Sequence, residues 1–146
     1  MDFRHPEPEE CTGVKVFVQT IVDEVYGGLW AEPPLLIDQE DWSRSWMALD
    51  DGMLIGVALS REGWVEDLWI SPGSRRRGVG SQLLAMAEAE IRDRGIRTAS
   101  LRVLSLNQNA IRFYEKRGWQ TDGEYRHERF PVPVTELRKH LDPCVL

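Results

Sequence analysis

The sequence predicts an α/β fold of the α+β kind: a mixed, mostly antiparallel, twisted sheet flanked by helices. Two observations predict it. Between Ser45 and Ile70 three strand-like runs follow one another, parted only by Asp50-Asp51-Gly52 and Arg61-Glu62-Gly63. Short turns of that kind join antiparallel neighbours into a meander. From Trp64 to Leu104 the order then becomes strand, glycine-containing loop, helix, strand. Such a unit returns by a right-handed crossover and adds a parallel pair.

The elements follow in order. A short first strand is expected near Phe3 and Arg4. From Gly13, Val14, Val18, Ile21, Val22 and Val25 recur at spacings of three and four, which is one stripe of a helix. Gly27-Gly28 ends it. Residues 29–45 are the least regular part: Pro33-Pro34 forbids a continuous helix, and a short helix is expected from about Asp38. Strands are expected at 45–49, 53–59 and 64–70. A helix follows from about Gly78 to Arg94, with Val79, Leu83, Leu84, Ala87 and Ile91 inward and Gln82, Glu88, Glu90, Arg92 and Asp93 outward. Gly95 is its expected stop. The run 98–104 alternates, with Ala99, Leu101 and Val103 on one side. Asn107 caps a helix that Gly118 stops, with Ala110, Ile111 and Tyr114 as its buried stripe. Two last strands are expected at 119–124 and about 130–137.

Length and charge narrow the function. At 146 residues the chain is expected to form one domain, 1–146, burying about 70 % of its unfolded surface. A net charge of −6 argues against a nucleic-acid partner. No run approaches a membrane span, and the start has no apolar signal core. Cys11 and Cys144 stand near opposite ends and form neither a metal spacing nor a disulfide framework. The expectation is a cytoplasmic protein, free of metal and not bound to membranes. His5, His127 and His140 are isolated and expected at the surface.

The most informative stretch is Val65 to Ser81, VEDLWISPGSRRRGVGS. The apolar run Leu68-Trp69-Ile70 ends a strand, and a loop with Arg75, Arg76 and Arg77 leads through Gly78, Val79, Gly80 and Ser81 into a helix. The first turn of a helix leaves its N–H groups without partners and carries a partial positive charge. Glycines there let an anion approach the backbone. No Gly-Lys-Ser/Thr follows, so the P-loop is excluded; Leu83 stands where the dinucleotide fingerprint needs its third glycine.

The remaining pattern, Arg75-x-x-Gly78-x-Gly80 after a strand, resembles the pyrophosphate signature of the GCN5-related N-acetyltransferases. A second block, SLNQNAIRFYEKRGW, resembles the same family through Asn107, Ala110, Tyr114 and Gly118-Trp119. The likeness covers Ser45 to Trp119 well and the rest in outline. It implies an acetyl-CoA core at about 64–119 and an acceptor-side segment at about 27–45. It implies that the amides of about Arg76 to Ser81 hold the pyrophosphate of acetyl-CoA and that arginine side chains reach other phosphates. It also implies Asn107 on the pantetheine arm and Tyr114 as general acid for the leaving thiolate. Asn107 and Tyr114 stand seven residues apart, so both face one groove. Family members often carry a glutamate base on the strand before the loop. Glu66 is that residue here, while a bulge in the family's strand would favour Asp67; strict alternation would send the two to opposite faces. The oxyanion is expected on main-chain N–H groups near Leu68, Trp69 and Ile70.

The resemblance therefore implies an N-acetyltransferase that moves an acetyl group directly from acetyl-CoA to a primary amine. The alternative is a coenzyme A-binding sensor of the same fold. Tryptophans and carboxylates in residues 30–46 fit a cationic acceptor, and equally fit an anchored surface segment. Monomer and homodimer are both open.

Overall fold

The computed structural model describes residues 1–27, 40–126 and 132–142. Ten principal elements follow in chain order: β1 (Asp2–Arg4), α1 (Cys11–Tyr26), β2 (Trp46–Asp50), β3 (Met53–Arg61), β4 (Trp64–Ile70), α2 (Val79–Asp93), β5 (Thr98–Leu104), α3 (Gln108–Glu115), β6 (Gln120–Tyr125) and β7 (Val134–His140). They build one seven-stranded sheet of order β1-β2-β3-β4-β5-β7-β6. Every neighbouring pair is antiparallel except β4 and β5. The meander, the crossover and the mixed sheet are as the sequence predicts. The turn between β2 and β3 has Asp51 and Gly52 at φ 50° and 76°, the paired left-handed conformation that matches strand twist in a two-residue hairpin.

The helices cover both faces. On one, α1 packs Val14, Val18, Val22 and Tyr26 against Met47, Val57 and Leu59 of the sheet. On the other, Val79 and Leu83 of α2 meet Ala48, Ile55 and Ala58. Leu84, Ala87 and Ile91 continue beneath Ala99, Leu101 and Val103, together with Ile111 and Tyr114 of α3. Each fully buried aliphatic or aromatic side chain contributes about 1.5–3 kcal/mol relative to exposure.

Several expectations are corrected. Val25 is 37 % exposed, and Tyr26 takes the inward place at the end of α1. Glu88 is buried instead of facing solvent: its carboxylate accepts from Trp119 Nε1 at 3.1 Å and pairs with Lys139 Nζ at 2.8 Å. A period of 3.6 places Glu88 at the edge of the apolar stripe, and only the arrival of Trp119 and Lys139 makes that edge interior. The last two strands run at 120–125 and 134–140; Phe130 and Pro131 lie outside the described residues. So do Asp38, Trp30 and most of the acceptor-side segment, residues 28–39. The described remainder of that segment holds a single 3-10 turn, Trp42–Arg44, whose Ser43 amide Asp41 caps. His127 and Cys144 are likewise outside.

Candidate active site

The parallel pair is where the sheet opens. β4 and β5 share a single register pair, Trp64 with Ser100. Beyond it the strands part and leave a cavity of about 150 Å³. Residues 65–69 form one wall and 101–104 the other, and Tyr26, Asn107, Ala110 and Tyr114 close it. The splay thus brings together six of the residues read from the sequence: Glu66, Leu68, Trp69, Asn107, Ala110 and Tyr114.

A bulge sets the chemistry of the β4 wall. Leu59 pairs with Asp67 and Ser60 with Val65, so Glu66 is the extra residue. The inserted residue breaks strict alternation, and Glu66 and Asp67 both line the cavity. Opposite faces, the expectation from alternation, do not hold. Glu66 pairs with Arg61 at 3.1 Å, but Arg61 is 58 % exposed and the pair is open to solvent screening. Asp67 is different. Its Oδ1 accepts from Trp69 Nε1 at 2.9 Å, and its Oδ2 is buried with no partner among the described residues. Burial pushes the Asp67 carboxyl up to about 7, with Glu40 and Glu66 adding to the rise against the hydrogen bond from Trp69.

The main chain of β4 supplies donors. Ser71 N–H donates to Ile55 O at 2.9 Å, continuing the β3–β4 ladder. Alternation then turns the N–H groups of Leu68 and Ile70 away from β3, toward the side where β5 has parted. They have no acceptor among the described residues.

Across the cavity stand two phenols. Tyr114 is 8 % exposed, held edge-on by Phe113 and Trp119 at centroid distances of 5.2 and 6.0 Å. Burial pushes its hydroxyl well up, and the nearby Tyr26 and Asp67 add to this. Tyr26 was assigned to no site by the sequence. Its oxygen accepts from Asn107 Nδ2 at 3.0 Å, and its ring meets Trp69 edge-on at 6.3 Å. Burial raises its hydroxyl too, against the hydrogen bond from Asn107. The visible signal was its place at the helix end, one step past the apolar stripe. Asn107 also caps α3, its Oδ1 accepting from Ala110 N at 3.2 Å.

At the far end of β4 the loop residues form a separate feature. Among the described residues, the six consecutive N–H groups from Arg76 to Ser81 have no acceptor; the next amide, Gln82, donates to Gly78 O at 3.1 Å. Arg76 and Gly78 both have left-handed backbones, φ 70° and 80°. Turns of this kind point successive amides into one concavity, a ready anion cradle. Arg75 lies 3.8 Å from Glu24 and Arg77 3.0 Å from Asp50, while Arg76 makes no ion pair among the described residues. The side chain of Val79 is core, 2 % exposed. Gly80 serves packing as well, because a Cβ there would sit 3.2 Å from Phe113 Cζ. Arg117, unassigned by the sequence, donates from Nε to Ser81 Oγ at 2.7 Å and lies over the Phe113 ring at 3.7 Å. No group of three or more His, Cys, Asp or Glu suited to a metal occurs among the described residues. No helix among them is long and apolar enough to cross a membrane.

Comparison with known proteins identifies the class of protein that this splayed sheet and glycine-opened helix start belong to. The model of the acetyltransferase (GNAT) family matches residues 16–119, well over half of the chain. The chain belongs to that family and is an N-acetyltransferase. It is 36 % identical over 96 residues to the acetyltransferase Atu2258 of Agrobacterium fabrum, a match covering 63 % of this chain and 69 % of the relative. Its fold is similar to that of Ard1 from Thermoplasma volcanium, TM-score 0.74 at 19 % identity, covering 96 % of this chain and 97 % of that one. It is also similar to yncA from Salmonella typhimurium, solved with its cofactor acetyl-CoA, TM-score 0.72 at 16 % identity, covering 100 % and 96 %.

Proposed function

We propose that this chain, as one acetyltransferase domain, moves an acetyl group from acetyl-CoA directly to a primary amine held in the β4–β5 splay. The observation that carries the proposal is the run of six amides from Arg76 to Ser81 without a partner among the described residues, leading from a strand whose splayed side carries two more. The first set suits a diphosphate; the second suits a thioester oxygen gaining charge.

The roles follow from the side chains. Leu68 and Ile70 N–H groups hold the carbonyl oxygen as the amine nitrogen bonds to the acetyl carbon. Asp67 takes the proton that the nitrogen loses. It fits the base role better than Glu66, because a carboxyl near 7 is ionised in part at neutral pH and sits buried at the cavity, whereas Glu66 is already engaged by Arg61. Tyr114 donates its hydroxyl proton to sulfur as the carbon–sulfur bond breaks. Burial keeps that phenol protonated, and the same low-polarity surroundings raise the thiol's own affinity for a proton. The products are an amide and the free thiol, and solvent returns the proton from Asp67 to Tyr114. Asn107 and Ala110 shape the wall along which the pantetheine arm would lie.

Thiol release from acetyl-CoA in the presence of an amine panel tests the proposal, with calorimetric titration of coenzyme A beside it. Saturable binding plus amine-dependent release is expected. Binding without release from any amine supports the sensor reading instead.

A further inference from the structure

A side chain from the end of α3 reaches the last residue of the amide run. Arg117 donates from Nε to Ser81 Oγ at 2.7 Å and from Nη1 to Phe113 O at 2.7 Å, its guanidinium lying 3.7 Å from the centre of the Phe113 ring. Its carbonyl oxygen accepts from Lys139 Nζ at 2.9 Å, and Lys139 pairs at 2.8 Å with Glu88, two turns beyond Ser81 on α2. Side chain and main chain of Arg117 are therefore both tied to α2. Unlike Arg75 and Arg77, it pairs with no carboxylate among the described residues, so its positive charge is not neutralised there.

A guanidinium only donates, so Ser81 Oγ is the acceptor in this bond. The single hydrogen of that hydroxyl is left for another acceptor. A helical hydroxyl can return its hydrogen to the carbonyl four residues back, as Thr20 of α1 does to Val16 O at 2.8 Å. Ser81 makes no such bond among the described residues. Its N–H is the last of the six amides without an acceptor there, so two donors leave from one residue at the end of the run.

We propose that Arg117 is a positioning residue for the cosubstrate: by occupying Ser81 Oγ as a donor it turns that hydroxyl into a seventh donor to the diphosphate, and it holds a positive charge behind it. This rests on the acetyltransferase reading above. Phe113 carries the brace onward, since its ring meets Tyr114 edge-on at 5.2 Å.

The test uses the full chain. Arg117→Met keeps the stem over Phe113 and removes the donors; Ser81→Ala removes the hydroxyl. Thermal melting followed by circular dichroism reports whether each variant is folded, and calorimetry reads binding. Each single change is expected to weaken coenzyme A about tenfold, and the double change no more than either alone, because both delete one contact. The KM for acetyl-CoA is expected to rise in step, with kcat within about twofold of the parent. Dephospho-coenzyme A, which lacks the 3′-phosphate, is expected to lose as much as coenzyme A. S-acetylpantetheine, which lacks the diphosphate, is expected to lose at most about twofold in kcat/KM. Unchanged binding in either single variant, losses that add in the double, a loss spared in dephospho-coenzyme A, or an equal loss with S-acetylpantetheine overturns the role of Arg117 alone. If Arg117→Met does not fold, Ser81→Ala decides by itself, and parent affinity in it overturns the proposal. No binding of coenzyme A by the folded parent chain overturns the amide cradle and the acetyltransferase reading with it.

Discussion

Asn107 fastens the end of α1 to the start of α3: its amide donates to Tyr26 Oη at 3.0 Å while its carbonyl oxygen caps Ala110 N at 3.2 Å. One side chain therefore fixes two cavity walls. Asn107→Ala removes both bonds and is expected to cost about 1–3 kcal/mol, read as a lower midpoint in denaturant. Asn107→Asp keeps the cap but loses the donor and is expected to cost less. Equal losses would mean that the cap on Ala110 carries nothing, and no loss in Asn107→Asp would mean that the contact with Tyr26 carries nothing.

Tyr114→Phe keeps the ring against Phe113 and Trp119 and deletes only the hydroxyl. Turnover is expected to fall by ~10²–10⁴, because a thiolate leaves readily even without a proton donor. Binding of coenzyme A, measured by calorimetry, is expected to stay within a factor of about two. Turnover at the parent rate would remove Tyr114 from the reaction.

The acid limb of the kcat/KM profile is expected near 7, the value to which burial lifts Asp67. Glu66→Gln keeps this limb; Asp67→Asn abolishes it along with most activity. A limb that survives in Asp67→Asn and vanishes in Glu66→Gln would exchange the two assignments.

The same group links pH to stability. Asp67 holds its proton in the fold up to about 7, whereas an ordinary aspartate releases it near 3.8. Between those values the folded chain binds more protons than the unfolded one, so this contribution to stability falls as pH rises through the window. Asp67→Asn is expected to raise the melting temperature more at pH 8 than at pH 4. A shift of the same size at both would show that the carboxyl is not held neutral.

Gly78 has φ 80° and open space where a Cβ would go. Gly78→Ala therefore adds strain without collision, about 1–2 kcal/mol in the left-handed region. Its KM for acetyl-CoA is expected to rise strongly as the amides after Arg76 turn out of line. An unchanged constant counts against the cradle.

What the sequence disclosed follows a physical rule: features written in local spacing were legible, and features made by contact across the sheet were not. The meander, the crossover, the Asn107 cap and the stop at Gly95 (φ 82°) are local, and the structure has them. The amide run from Arg76 to Ser81 was legible because glycines after a strand constrain the backbone on their own. Tyr26 and Arg117 were not, because each acquires a place in the site from a partner far along the chain, Asn107 and Ser81 respectively. Glu88 looked like a surface glutamate for the same reason: Lys139 lies 51 residues away. The bulge at Glu66 falls between. Its possibility came from family likeness, while its outcome, two carboxylates on one side, needed the register of β3 against β4.

The lone register pair between Trp64 and Ser100 leaves the sheet as two plates riveted at one end. A ligand lodged between them would act as mortar, replacing absent ladder bonds along the open seam. Amide hydrogen exchange at Leu68 and Ile70 should then slow markedly when coenzyme A is added, more than at Trp69, whose N–H the β3 ladder already shelters. Loading the cosubstrate would thus stiffen the whole molecule across its middle, and the empty enzyme would flex along that line.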